Sequence, residues 1–128
     1  MIFFRWSPYI SQVTKDNTTS YVLDCEAVAW DVEKKCILPF QVLSTRKRKD
    51  VAEKDIAVQV CVYAFDLLYL NGEPVTQRTF KERRQLIQDH FNEVEGEFYF
   101  AKYMNATSIE EMQTFLDDSV AGLLLLDL

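Results

Sequence analysis

Apolar and polar residues alternate most regularly in two stretches of the chain, and each alternation predicts a strand. In Tyr21–Trp30, read Y-V-L-D-C-E-A-V-A-W, the odd positions Tyr21, Leu23, Cys25, Ala27 and Ala29 are all apolar. Successive side chains of a strand point to opposite faces, so this set can sit on a core while Val22, Asp24, Glu26, Val28 and Trp30 share the other face. The second face places two carboxylates among apolar neighbours, which is costly unless water, a cation, a donor or a ligand satisfies them. A solvated sheet face is the plainer explanation, since antiparallel sheets commonly keep one. The second stretch, Val58–Leu70, reads V-Q-V-C-V-Y-A-F-D-L-L-Y-L and closes on Asn71-Gly72, a strong turn signal. Its alternation puts Gln59, Cys61, Tyr63 and Phe65 on one face and Val60, Val62, Ala64 and Asp66 on the other.

Helical signals fill much of the rest. Pro39 suits the first turn of a short helix from Phe40 to about Lys49, with Phe40, Leu43 and Lys47 on one side. Thr79-Phe80-Lys81-Glu82 has the capping-box spacing and predicts a helix from about Phe80 to Phe91, with Phe80, Ile87 and Phe91 as a buried stripe. Ser108-Ile109-Glu110-Glu111 repeats that spacing ahead of a helix with Ile109, Met112, Leu116 and Val120 inward and Gly122 at its end. Phe98–Ala101 reads as a short strand and Leu123–Leu128 as a final buried one. Asp16-Asn17-Thr18-Thr19, Asp31–Lys35 and Asp50–Asp55 read as a loop, a turn and a polar connection. Strands interleaved with helices at unequal spacing, with no internal repeat, predict an α+β domain: an antiparallel or mixed sheet with flanking helices.

Composition bounds this reading without changing it. A chain of 128 residues that is 48% hydrophobic and 27% charged, with three Gly and three Pro, suits one folded domain and excludes a disordered segment. Arg5 and Pro8 interrupt the apolar start, and the last apolar run falls far short of the ~20 residues of a spanning helix. A soluble, intracellular protein with no membrane partner is expected. Cys25, Cys36 and Cys61 form no C-x-x-C pair and have only His90 beside them as a further ligand type, so a zinc site or disulfide framework is not expected. The thiols read as small core residues in a reducing compartment, and His90 as a favourable helix-end residue.

Charge does change the picture. The net charge of −6 is the wrong sign for holding nucleic acid by electrostatics alone, yet four of the 14 basic residues stand together as Arg46, Lys47, Arg48 and Lys49. Such a cluster fits a nucleic-acid backbone, a nuclear-localisation signal or a solvated helix face.

Y-V-L-D-C-E-A-V-A-W-D, P-F-Q-V-L-S-T-R-K-R-K and V-C-V-Y-A-F-D-L-L-Y-L-N-G, in this order, closely resemble the adenylation domain of eukaryotic ATP-dependent DNA ligases, nearest the ligase I branch. The resemblance runs from about Ser20 to Gly122, leaving 1–19 as a poorly matched segment and 20–128 as a partial nucleotidyltransferase domain. It implies the joining of nicks in duplex DNA during replication, repair and recombination, with ATP and Mg2+ as cofactors, nicked duplex DNA as partner and the nucleus as location. Carried over residue by residue, Glu26 resembles the family's ribose- and metal-region acid, with Asp24 beside it. Phe65 resembles the aromatic that stacks on adenine, and Phe40 one presented to the minor groove. Arg46, Lys47, Arg48 and Lys49 match the basic segment along the DNA backbone. Weak DNA binding with a shallow salt dependence follows from so local a positive field.

The departures from the family pattern are as specific. Its nucleophilic lysine lies in K-x-D-G, which occurs nowhere in this chain, and Lys15-Asp16-Asn17 is only a superficial echo. Ala121-Gly122 stands where the family has Glu-Gly, and the paired lysines of a later motif are absent. The expectation is a fragment or degenerate copy of a ligase that forms no lysine–AMP adduct by itself. The alternative is a non-catalytic interaction or DNA-binding module that retains the scaffold.

Overall fold

Both alternating stretches are strands in the computed structural model, which describes residues 12–45 and 58–124, and side chains within 12–42 and 58–121. Chain order is β1 (Tyr21–Asp31), β2 (Cys36–Leu38), α1 (Phe40–Thr45), β3 (Val58–Leu70), β4 (Glu73–Pro74), α2 (Phe80–His90), β5 (Phe98–Phe100) and α3 (Ile109–Leu124). β1 runs antiparallel to β3 over its whole length, β2 pairs with the other edge of β1, and the far edge of β3 takes β4 antiparallel and β5 parallel. This is the α+β architecture with a mixed sheet that the patterning predicts.

The connections follow from local chemistry. Asp31 Oδ1 accepts the N–H groups of Glu33 and Lys34 at 2.9 and 2.8 Å, folding the polar turn between β1 and β2. Between β3 and β4, Asn71 and Gly72 both take positive φ, 50° and 91°, as the mirror-image two-residue hairpin turn requires.

One sheet face is closed by α2. Leu23, Cys25, Val62, Ala64, Leu67 and Leu70 pack there with Ile87 of the helix, with Phe91 just past its C-terminus and with Phe98. The capping box forms as read: Glu82 N–H donates to Thr79 Oγ1 while the Glu82 carboxylate accepts the Thr79 N–H at 2.8 Å. The expected stripe is corrected at one end. Phe80 is 49% exposed, with its ring beneath the Arg83 and Arg84 guanidinium groups at 5.4 and 5.3 Å instead of in the core.

α3 departs further from expectation. Its cap forms, with Glu111 N–H donating to Ser108 Oγ at 3.2 Å, but Ile109, Met112, Leu116 and Val120 are exposed, at 76, 51, 55 and 45%. Amphipathic spacing identifies an apolar face and does not say what lies against it. Nor does Gly122 end the helix, which runs on to Leu124, since an interior glycine costs only about 1 kcal/mol. The predicted strand Leu123–Leu128 therefore begins inside a helix, and 125–128 lie outside the described residues. So do Arg46, Lys47, Arg48 and Lys49, the connection over 50–55 and positions 1–11. Among the described residues no helix is long and apolar enough to cross a membrane.

Candidate functional site

The sheet face away from α2 collects the chemistry. Glu26 lies opposite Tyr63 in the β1–β3 register, so both point to one side, and the two-residue period brings Asp24, Cys61 and Phe65 to that side with them. Tyr99 joins through its pairing with Tyr63 in the parallel β3–β5 ladder.

One end of this face is closed. The rings of Trp30 and Tyr99 lie 5.8 Å apart and those of Tyr63 and Tyr99 5.4 Å apart. Gly96 is held against them: its N–H donates to Tyr99 Oη at 3.1 Å, and its carbonyl accepts from Gln59 Nε2 at 2.6 Å. Cys61 is fully buried, and burial pushes its thiol up to about 11. Burial likewise pushes the Tyr63 hydroxyl up to about 12. Both stay protonated at neutral pH, so neither serves there as a nucleophile or base.

The other end is open. Phe65 is 40% exposed although it stands in an apolar strand, and Glu26 is exposed on the same side. Alternation from Tyr63 turns Phe65 to this side, and the register breaks at it. Cys25 pairs with Ala64 while Asp24 pairs with Asp66, so Phe65 is an extra residue, a β-bulge; a second shift leaves Leu68 extra between Leu67 and Tyr69. The simple alternation of β3 therefore holds only as far as Ala64, and Leu67 enters the core where an unbroken period would have turned it outward.

Asp66, next to the bulge, is gripped from α2. Arg83 Nε donates to Asp66 Oδ1 and Arg83 Nη2 to Oδ2, each at 2.8 Å, and the Leu67 N–H donates to Oδ1 at 2.8 Å. Burial alone would push the Asp66 carboxyl up, but the Arg83 and Leu67 hydrogen bonds overturn that and hold it below its ordinary value. No sequence spacing signalled this pair, because it is tertiary.

The other candidate residues fall elsewhere. Phe40 opens α1 and is 74% exposed. Lys15 Nζ donates to the Gln88 carbonyl at 2.8 Å and its N–H to the His90 carbonyl at 2.9 Å, so it is a cation at the C-terminus of α2, on the helix side of the sheet. His90 Nδ1 sits 3.0 Å from the Leu86 carbonyl, a helix-end contact. Among the described residues, no three His, Cys, Asp or Glu side chains group as a metal cage. Asp24 and Glu26 fit a narrower task, since Mg2+ is commonly held by one or two carboxylates together with substrate phosphates.

The α+β fold with its mixed sheet is that of a nucleotidyltransferase-type adenylation domain. A family model for the ATP dependent DNA ligase domain matches residues 4–123, and the chain belongs to that family. It is 56% identical over 108 residues to DNA ligase 1 of Drosophila melanogaster, covering 84% of this chain. To DNA ligase 1 of Schizosaccharomyces pombe it is 49% identical, and to that of Arabidopsis thaliana 50%, each over 87% of the chain. The chain spans only 14% of the length of each of these relatives.

Proposed function

We propose that the open face of β1 and β3 is part of the nucleotide site of an ATP-dependent DNA ligase. Adenine stacks on Phe65, and Glu26 with Asp24 serves the ribose and the Mg2+ that accompanies the phosphates. The observation that carries this reading is the placement of Phe65, outward on the same face as Glu26 in an otherwise apolar strand. When bound in a complete ligase, ATP supplies the adenylyl group that activates the 5′-phosphate of a nick. This chain's residues contribute binding: an aromatic platform orients the base, and the exposed Glu26 carboxylate, with the half-buried Asp24 beside it, sits where cation-neutralised phosphates can approach. Residues 20–128 form the adenylation-domain part of the proposal, and the family match extends ahead of them to residue 4. Phe40 and the Arg46–Lys49 cluster engage nicked duplex DNA, and the nucleus is the compartment where that substrate lies.

ATP binding by the chain alone is expected to be weak, because K-x-D-G and the paired phosphate-binding lysines are absent from these 128 residues. Calorimetric titration with ATP and Mg2+ tests the reading. Phe65→Ala should lose about 1 to 3 kcal/mol, the worth of stacking a base on an aromatic ring. Equal affinity in parent and variant would remove Phe65 from the site.

A further inference from the structure

We propose that Asp66 and Arg83 are a positioning pair for this face: the guanidinium on α2 holds the β3 bulge in which Phe65 stands. The inference rests on the adenine-stacking reading and adds what keeps the stacking ring in place.

The first ground is geometric. Ala64 and Leu67 are both in the core, at 2% and 0% exposure, although an unbroken strand would send residues three apart to opposite faces. The chain between them must be irregular, and Phe65, outward by alternation from Tyr63, is the residue left without a partner in the register. A bulge left to itself can slip by one position, and a one-residue slip sends every side chain it involves to the other face. Something must pin it.

The second ground is the pin. The Asp66 carboxylate takes two bonds from the Arg83 fork and one from the Leu67 N–H, all at 2.8 Å. Arg83 Nη1 also donates to the Arg78 carbonyl at 2.7 Å, which fixes the guanidinium to the turn ahead of α2. A planar fork on a carboxylate admits one orientation, and both side chains are only 17% exposed, so solvent competes poorly.

A tie serving stability alone would alter unfolding and leave ligand binding by the folded protein untouched, so the test reads binding. Adenosine, which is uncharged, and ATP are titrated by ligand-observed NMR into the parent, Arg83→Gln, Asp66→Asn, Arg83→Lys and Phe65→Ala, at a temperature where circular dichroism shows each one folded. Arg83→Gln and Asp66→Asn should weaken adenosine and ATP alike, several-fold and toward the Phe65→Ala value. Arg83→Lys, with its charge kept and its fork lost, should fall between. If Phe65→Ala weakens adenosine but the two pair variants do not, the pair only ties helix to sheet. A loss confined to ATP would mean that the pair acts on phosphate charge and not on Phe65, which also overturns the proposal. Parent and Phe65→Ala binding equally, or no binding by the parent, defeats the stacking reading itself. Should Arg83→Gln and Asp66→Asn not fold, Arg83→Lys decides by the same comparison.

Discussion

Gly72 and Gly96 both hold positive φ, 91° and 71°, yet they answer to different constraints. A Cβ at Gly72 would meet no atom within 4 Å, whereas one at Gly96 would come within 2.6 Å of both Trp30 Nε1 and Gln59 Nε2. Gly72→Ala should therefore cost about 1 kcal/mol, from backbone strain alone. Gly96→Ala should cost about 1 to 3 kcal/mol more, because the Trp30 indole is buried and has little room to yield. Urea midpoints of the two variants check the order, and a larger loss at Gly72 would contradict it. The contrast also marks what a residue discloses in sequence. Asn71-Gly72 was legible as a turn because the code is local, while the demand on Gly96 comes from Trp30 and Gln59, distant in the chain. Phe65 lies between these cases. Its presence in β3 and its face were readable from alternation, but the bulge around it was not, because register belongs to two strands together.

The two capped helices are alike in signature and opposite in packing. α2 buries Ile87 at 4% and rests on Phe91 at 1%, while α3 leaves its whole predicted stripe open. Ile87→Ala should accordingly destabilise the chain by about 2 to 5 kcal/mol through lost burial and a cavity. Leu116→Ala should move stability by no more than about 0.5 kcal/mol, as surface changes usually do. Chemical denaturation of each variant gives the comparison, and a large effect of Leu116→Ala would mean that the stripe is covered. Element type and start were therefore legible: β1, β3, α2 and both capping boxes stand close to where alternation and spacing put them. The short strands β2 and β4 were not, since three and two residues carry no period and exist only by pairing with longer neighbours.

On the proposed reading, the 128 residues hold part of a nucleotide face but not the K-x-D-G lysine that adenylyl transfer in this family uses. A lysine nucleophile must be deprotonated and aligned with the α-phosphate. Lys15 instead donates to the end of α2 on the opposite side of the sheet from Glu26, and Ala121 offers no carboxylate. Incubated with radiolabelled ATP and Mg2+, these 128 residues should show no labelled band after denaturing electrophoresis. A stoichiometric adduct on any lysine would refute this. The nested pairing of β1 and β3 also sets an order in time. Asp31 and Val58 are the partners nearest along the chain, Tyr21 and Leu70 the farthest, and closing the shorter loop first loses less chain entropy. Zippering should then run from Asp31–Val58 toward Tyr21–Leu70, meeting the regular half of β3 before the irregular half. Pulse-labelled hydrogen exchange during refolding should find the amides of Cys61 and Tyr63, which point to β1 because that of Val62 donates to Glu97 on the other edge, protected earlier than that of Asn71, which donates to the Ser20 carbonyl at 2.7 Å. The ring proposed to stack on adenine is thus assembled late, on a ladder already half closed.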